Sequence, residues 1–416
     1  MNNILQRGLI GSLLWIATMS GAQAAAAEAK AKSAPARKQA SSPARTESPK
    51  QTAPSKQAEE RPALAQQLAT RKGWQGPEAY AVLPEKTIEL RAVCPEGADV
   101  GDLDELVPPA KKGSVRTFLL SRSTDYRWKI PMGTIEQLGD NRVAWVAPQK
   151  PGHYEIGCEI ESHGTVRVTA EGSGEKSREL PVFHTATTFH VLVPHEFDPE
   201  GRGVIEGSPI GVYPNEKGKD VKAVIADHRD RYQPPRWFVA VTPDLRGLRV
   251  SDHFRLGDFV PDAPNDATVY FPYNADLCRV LEAVLAELKT ADMAEPHLRI
   301  LRGFVSPYEA ERQRRAGARL LTWNRYQYGD AVLIVANRNG GAKMGDLNGD
   351  DKVDVRDAEA LSQIVTRVQK RLGLPGWIGV YAEPPDKTLP DTPMVGFDLR
   401  GYWAESYGVE PAPRGE

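Results

Sequence analysis

The sequence of 416 residues lacks an excess of either charge, a strong compositional bias, and any apolar run of membrane-spanning length after residue 24. Lys and Arg number 53 against 55 Asp and Glu, so bulk charge gives no support for a nucleic-acid partner. With 26% charged and 40% apolar residues, the composition excludes collagen, a fully disordered chain and a polytopic membrane protein. The length predicts a multidomain protein.

Residues 1–24 have the pattern of a secretory signal peptide. Arg7 supplies the positive flank, residues 9–19 form an apolar stretch, and Ala22-Gln23-Ala24 is a small-residue cleavage site. The apolar stretch is too short for a transmembrane helix, which takes roughly 20 residues. No Cys lies near the cleavage site, which argues against a lipoprotein anchor. We therefore expect an exported protein of the periplasm or cell surface, with no transmembrane segment after signal removal.

Three cysteines enter this oxidising compartment, where disulfides can persist. Cys94 and Cys158 fall in two strand-like segments of one domain, and we expect them to form a disulfide. Cys278 lies on the apolar stripe of a predicted helix, which predicts a buried free thiol.

Residues 25–80 are rich in Ala, Pro, Lys, Ser and Gln and are predicted to form a disordered linker. Between residues 25 and 72 there are ten Lys or Arg and four Asp or Glu, so the linker is basic whereas the rest of the chain is acidic. Two roles stay open. The linker can be a plain solvated tether, or it can be drawn to anionic envelope polymers and lipid headgroups.

Residues 81–195 show short segments that alternate at period two, separated by turn residues, which predicts an antiparallel β-sandwich. The predicted strands cover residues 87–93, 142–146, 153–160, 165–169 and 187–193. The order Cys94, Trp128, Cys158 resembles that of immunoglobulin-like domains, although Ile156 stands where their corner tyrosine would be. Such a sandwich is a spacer or a binding module, and the pattern names no ligand.

Residues 196–416 alternate between helical and strand-like patterns, which predicts an α+β domain. Apolar residues recur at helical spacing in residues 274–288 and 355–372. Ser306 and Pro307 open a further helix with the pattern of a capping box. Strand-like runs cover residues 332–336 and 377–381.

Residues 346–357 have the pattern of a calcium loop followed by a helix. Side-chain oxygens fall at the spacing that wraps a loop around one hard cation, and a central residue adds its backbone carbonyl. The predicted ligands are Asp346, Asn348, Asp350, Lys352 (by its carbonyl), Asp354 and Asp357. The loop resembles that of dockerins and EF-hands, but Asp351 replaces the usual turn glycine and only one copy is present. The alternative is a solvated acidic turn that caps the helix.

Four short segments in a fixed order resemble motifs of the zinc D-Ala-D-Ala carboxypeptidases and their relatives in the hedgehog/DD-peptidase superfamily. They are residues 250–256 (Val-Ser-Asp-His-Phe-Arg-Leu), 302–307 (Arg-Gly-Phe-Val-Ser-Pro), 324–334 (Asn-Arg-Tyr-Gln-Tyr-Gly-Asp-Ala-Val-Leu-Ile) and 395–402 (Val-Gly-Phe-Asp-Leu-Arg-Gly-Tyr). The resemblance covers roughly half of the chain and implies that this α+β domain has the fold of that superfamily.

The resemblance does not extend to the zinc ligands. The three ligand positions hold Tyr326, Leu333 and Gly396, and the arginine expected to bind the substrate carboxylate falls at Val305. A catalytic zinc needs three protein ligands and an open position for water. No His follows His297 in the sequence, so a small shift of the alignment cannot restore the set. We therefore expect a degenerate cleft and no zinc.

The positions that do match, Tyr328, Asp330, Asp398 and Arg400, can serve structure or contact a ligand. Trp323, Tyr326 and Tyr328 place aromatic rings beside the former metal position, where they either fill the cleft or stack on sugars or peptides. The sequence thus favours a non-catalytic envelope protein that binds peptidoglycan peptide or a partner protein. The alternatives are a hydrolase with Asp330 or Asp398 as general base, and a carbohydrate-binding scaffold.

Overall fold

The computed structural model describes residues 63–70, 73–93, 116–170, 173–199, 203–213, 228–262, 267–290, 295–317 and 324–404. All of them belong to one unit that spans Glu60–Glu416. The predicted signal peptide (1–24), residues 25–62 of the predicted linker, Cys94 and Trp323 lie outside the described residues.

The N-terminal half of the described chain forms two sheets, one of five strands and one of four. In spatial order, the first sheet contains β2 (Gly73–Gln75), β1 (Ala63–Thr70), β4 (Thr87–Val93), β7 (Arg142–Val146) and β6 (Thr134–Gly139). The second contains β3 (Ala79–Ala81), β9 (Ser173–Val193), β8 (Gly152–Ala170) and β5 (Arg116–Lys129).

A core of large apolar side chains lies between these two sheets. In β4, Ile88 and Leu90 are buried, while the residues between them are only half-buried, as period-two alternation requires. They pack with Trp145 of β7 and with Ile156 and Phe189 of the other sheet. The predicted bounds of the strands at 87–93 and 142–146 are confirmed.

Three features of this half differ from the prediction. The segments 153–160 and 165–169, predicted as two strands, form one strand, β8. Strands β1 and β2 and the first two residues of β3 lie within residues 25–80, which were predicted to be a disordered linker. β1 pairs with β4 and β3 pairs with β9, both in parallel, so the sandwich is not wholly antiparallel. The physical reason is that these segments add to the edges of existing sheets, a long-range pairing that composition does not reveal.

The C-terminal half contains three further sheets. The three-stranded sheet is β10 (His195–Glu196), β13 (Trp237–Val241) and β14 (Val269–Phe271), and the two-stranded sheet is β11 (Val204–Ile205) and β12 (Ser208–Pro209). The four-stranded antiparallel sheet is β15 (His297–Arg302), β16 (Ala331–Asn337), β18 (Met394–Asp398) and β17 (Ile378–Tyr381).

The helices of this half are α1 (Ala275–Thr290), α2 (Pro307–Arg315) and α3 (Val355–Leu372), with short 3-10 helices at Arg229–Tyr232, Pro243–Leu245, Leu256–Phe259 and Arg325–Tyr328. The three predicted helices are confirmed. Ser306 accepts a hydrogen bond from the Glu309 N–H, and Gly373 ends α3 in the left-handed conformation. α3 packs on β17 and β18 and so supports the sheet that contains residues 331–334 and 395–398 of the segments singled out above.

Glu78 joins the sandwich to the C-terminal half. Its backbone N–H donates to the carbonyl of Arg249 at 2.8 Å, and its carboxylate forms an ion pair with the Arg249 guanidinium at 3.0 Å. Its carbonyl accepts a hydrogen bond from the backbone N–H of His190 on β9. Among the described residues, no helix has the length and apolar character needed to cross a membrane.

Candidate functional site

The four positions of the expected degenerate cleft lie together on the four-stranded sheet. Leu333 on β16 is directly opposite Gly396 on β18. A Cβ atom placed on Gly396 would lie 3.4 Å from the Tyr326 hydroxyl. The backbone N–H of Val305 donates to the carbonyl of Tyr326 at 3.2 Å. The four site positions named from the sequence are therefore neighbours in space.

Two aromatic residues that the sequence analysis did not name border this place. The Cβ position of Gly396 is 3.3 Å from the Trp377 ring and 3.1 Å from the Tyr381 ring. The Trp377 ring also covers Gly379 so closely that a Cβ there would lie 2.2 Å from it. Trp377 directly precedes β17, and Gly379 and Tyr381 follow at steps of two residues. This spacing is the signal that could have placed both rings on one face.

The rings beside Gly396 are only partly covered. Tyr326, Trp377 and Tyr381 are each half-buried, and Trp377 and Tyr381 meet edge to face with their centroids 6.3 Å apart. Tyr328, the other described aromatic residue that was expected here, is instead buried in a cluster with Tyr213 and Tyr232. Three partly exposed aromatic rings therefore surround the buried Gly396.

The residues at this place do not fit a catalytic zinc. Leu333 is fully buried and has no ligand atom, and Gly396 has no side chain. Tyr326 alone cannot supply the three ligands that such a zinc requires. Val305 is also buried and offers no charge to a substrate carboxylate.

An ion pair lies at the same end of the sheet. Arg302 on β15 is in register with Leu333 and forms a nearly buried ion pair with Asp386. Burial alone would raise the pKa of Asp386. Hydrogen bonds from Thr388 and from Arg302 oppose this and hold the pKa below its ordinary value. Asp386 is therefore an ionised partner of Arg302 and is not poised as a general base.

Asp330 is engaged by a buried arginine. Both of its carboxylate oxygens accept hydrogen bonds from Arg325, whose guanidinium stacks 4.3 Å from the Tyr328 ring centroid and 5.0 Å from that of Tyr232. Burial is the largest influence on Asp330 and raises its pKa, while the Arg325 charge opposes the shift. Arg325 lies five residues before Asp330, and the sequence pattern did not indicate that the two residues pair.

Asp398 and Arg400 form an ion pair with each other. The Arg400 Nε donates to Asp398 Oδ1 at 2.9 Å, and the same oxygen accepts the backbone N–H of Trp377 at 3.0 Å. Asp398 is 2% exposed. Of the two roles left open by the sequence, this arrangement favours structure, because the carboxylate ties the end of β18 to the segment that leads into β17.

The backbone of the predicted calcium loop has the required turn. Asp351 takes the position where a glycine is usual and adopts φ +61°, the left-handed conformation that Asp tolerates better than most residues. The Asp346 carboxylate accepts backbone N–H groups from Gly349 at 2.7 Å and from Asp351 at 2.9 Å. The chain thus wraps around the first predicted ligand.

The last predicted ligand closes the loop. Asp357 is fully buried, and its two oxygens accept the backbone N–H groups of Leu347 at 2.7 Å and of Asp354 at 2.8 Å. Asp354 in turn caps α3 by accepting the Arg356 N–H. These hydrogen bonds hold the ends of the loop together.

Arg356 competes for two of the predicted ligands. Its guanidinium lies 2.9 Å from Asp350 and 2.7 Å from Asp354. Within the described stretches, the loop carboxylates do not reach the mutual 4.8 Å that three ligand atoms around one ion require. The oxygen donors and the backbone turn fit calcium, provided that Arg356 moves away from both carboxylates.

Two of the three cysteines lie among the described residues. Cys278 is buried and free, as expected. Cys158 is also buried and carries a thiol in this structure, and its pairing with Cys94 stays a prediction because Cys94 lies outside the described residues. The Cys158 side chain lies in the core between the two sheets, and burial raises the pKa of its thiol to about 12.

Comparison with known proteins gave no relative. No family model matches the chain, and neither the curated proteins nor the solved structures contain a match.

Proposed function

We propose that this chain is an exported envelope protein whose cleft binds peptidoglycan peptide, or a partner protein, without cleaving it. The observation that carries the proposal is the meeting of Tyr326, Leu333, Gly396 and Val305 at one place. These are the positions at which the resembled peptidases hold zinc and substrate, and here they offer no metal set and no carboxylate clamp.

Ligand binding is favoured over simple filling of the cleft because the aromatic rings stay partly exposed. Tyr326, Trp377 and Tyr381 are half-buried, whereas side chains that only replace lost core volume become fully buried, as Leu333 is. Aromatic faces in a shallow cleft stack on sugar rings and on peptide groups.

Hydrolysis by displaced residues is disfavoured by the charges around the cleft. Asp330 is held by Arg325 and Asp398 by Arg400. A general base must be free to take a proton from water or from the substrate. Both candidate bases are instead acceptors of charged hydrogen bonds from arginine.

The proposal includes one structural calcium in the loop that leads into α3. Asp346, Asn348, Asp350, Asp354 and Asp357 would hold it with the carbonyl of Lys352. Calcium supplies a positive charge at the centre of the loop. The loop residues that bind it would then hold the end of β16 in place relative to α3, the helix that packs on the sheet of the cleft.

Sedimentation of the full chain with purified peptidoglycan tests the proposal. Trp377→Ala should reduce the bound fraction several-fold, whereas Trp237→Ala, which removes a half-buried indole from β13, should not. Release of soluble peptide is followed in the same samples and is expected to be absent. Cleavage by the purified chain would contradict the proposal. If Trp377→Ala did not change binding, the peptidoglycan-binding surface would be assigned to the sandwich. If the chain did not bind at all, peptidoglycan would be excluded and a partner protein would be the proposed ligand.

A further inference from the structure

Three side chains with metal-binding atoms meet on the outer face of the sandwich. His153 Nε2 lies 2.9 Å from His190 Nδ1, and His190 Nδ1 lies 3.8 Å from the Glu155 carboxylate. Three ligand atoms, one from each residue, all lie within 4.8 Å of one another. Within the part of the chain that the structure describes, no other group of His, Cys, Asp and Glu meets this condition.

The register of the sheet explains why these side chains meet. His153 and Glu155 are two residues apart on β8, so they share a face. Glu155 is directly opposite His190 on β9. The intervening Tyr154 points into the sandwich core, so the three ligands point away from it. The site is built on two long, paired strands, which hold ligands more firmly than a loop does.

The cluster faces the junction with the C-terminal half. His153 lines a cavity of about 370 Å³ together with Asp244, His195 and Glu206. Asp244 is exposed and near enough to interact electrostatically with His153. The backbone N–H of His190 bonds to Glu78, the residue that pairs with Arg249 across the junction. A cation here would therefore lie between the two halves.

We infer that His153, His190 and Glu155 form a binding site for a divalent zinc-type cation. Two imidazole nitrogens and one carboxylate are a donor set that zinc accepts, with one position left for water or an incoming carboxylate. Ligand atoms around a tetrahedral zinc lie about 3.4 Å apart, given bonds of about 2.0–2.1 Å. The observed separations of 2.9 and 3.8 Å bracket that value, so small side-chain shifts complete the site.

The site is separate from the cleft and does not depend on the proposed function. It lies on the sandwich strands, whereas Leu333 and Gly396 lie on β16 and β18. Of the three ligands, His153 lines the cavity, which Asp244 lines from the C-terminal half. A cation bound to His153 would therefore lie beside the junction that the Glu78–Arg249 pair spans.

Equilibrium dialysis of the chelator-treated full chain against zinc chloride, with calcium present throughout, tests this inference. One zinc per chain is expected. His153→Ala and His190→Ala should each weaken binding by at least about 100-fold, and Glu155→Gln, an exposed change that spares the core, by about 10-fold. His163→Ala, on the same strand β8 and 3.4 Å from Glu161, is the control and should stay within about twofold.

Cobalt(II) absorption gives a second readout that a folding defect does not imitate. The full chain and His163→Ala should show the visible bands of a tetrahedral complex, and Glu155→Gln should lose or shift them while remaining folded. Absence of stoichiometric zinc in the unaltered chain would leave only a histidine–histidine hydrogen bond and would overturn the inference. Equal loss in His163→Ala, or unchanged binding in His153→Ala, would overturn it as well.

Discussion

Leu333 and Gly396 lie directly opposite each other on β16 and β18, at two positions where the resembled peptidases hold zinc ligands. One position is a fully buried leucine, and the other has no side chain and is bordered by the rings of Trp377 and Tyr381. Both positions thus belong to a packed sheet with an aromatic border. This relationship leads to predictions that separate a packed, metal-free cleft from a hidden metal site.

Replacing Leu333 by aspartate should destabilise the protein by about 4 kcal/mol, because it puts an unpaired carboxylate into a fully buried position. Added zinc should not restore the loss. Leu138→Asp, at an exposed position of β6, is the control and should cost about 0.5 kcal/mol or less. Chemical denaturation with and without zinc measures both, and zinc-dependent recovery of Leu333→Asp would show that a metal set survives.

Asp330→Asn should destabilise the protein by about 3–5 kcal/mol, because it leaves the buried Arg325 charge without its hydrogen-bonded counter-charge. Asp140→Asn changes an exposed carboxylate and should have little effect. Urea denaturation checks both variants. A loss below about 1 kcal/mol would indicate that the Asp330 carboxylate is not structural and would return it to the candidates for ligand contact.

Calcium at 100 times its dissociation constant should stabilise the folded chain by about 2.7 kcal/mol. Asp346→Asn keeps an oxygen that can accept the Gly349 and Asp351 N–H groups but removes the negative charge. We expect this variant to fold and to lose most of the calcium-dependent shift. Thermal denaturation in calcium and in chelator measures the effect, with Asp391→Asn as the exposed control. An equal shift in Asp346→Asn would place the calcium elsewhere.

Arg356→Gln should strengthen calcium binding, because it frees Asp350 and Asp354 from their present partner. Exposed ion pairs contribute about 0.2–1 kcal/mol, so the dissociation constant should fall by about 1.4- to 5-fold. Calorimetric titration with calcium measures it. The matched control is Arg367→Gln on the same helix, which pairs with Glu287 outside the loop. Weaker binding in Arg356→Gln would mean that the arginine supports the loop and does not compete with the cation.

The elements that follow local pattern could be predicted from the sequence. Helix α3 agrees residue for residue with the prediction, because a regular apolar stripe lies between a capping Asp354 and a terminal Gly373. Strands β4 and β7 agree equally well, because alternation and flanking turns define them. The ordered motifs, and not the periodicity, suggested that Leu333 and Gly396 lie close together.

The parts that the sequence did not predict depend on distant pairing. Strand β1 pairs with β4 and with β2, and β3 pairs with β9, whereas the composition of all three matches that of a linker. The ion pairs of Arg356 with Asp350 and Asp354 depend on the turn of the loop. The contact between His153 and His190, 37 residues apart, requires the register of β8 with β9. Each is a contact that local pattern leaves open.

Elemental analysis of the purified full chain and of a His153→Ala/His190→Ala double variant, both prepared without chelators, tests the central claim most directly. We expect about one calcium per chain in the unaltered chain and in the double variant, and zinc only in the unaltered chain. Stoichiometric zinc that persists in the double variant would contradict it, because the cleft at Tyr326, Leu333 and Gly396 would then hold a metal through ligands that its geometry does not contain.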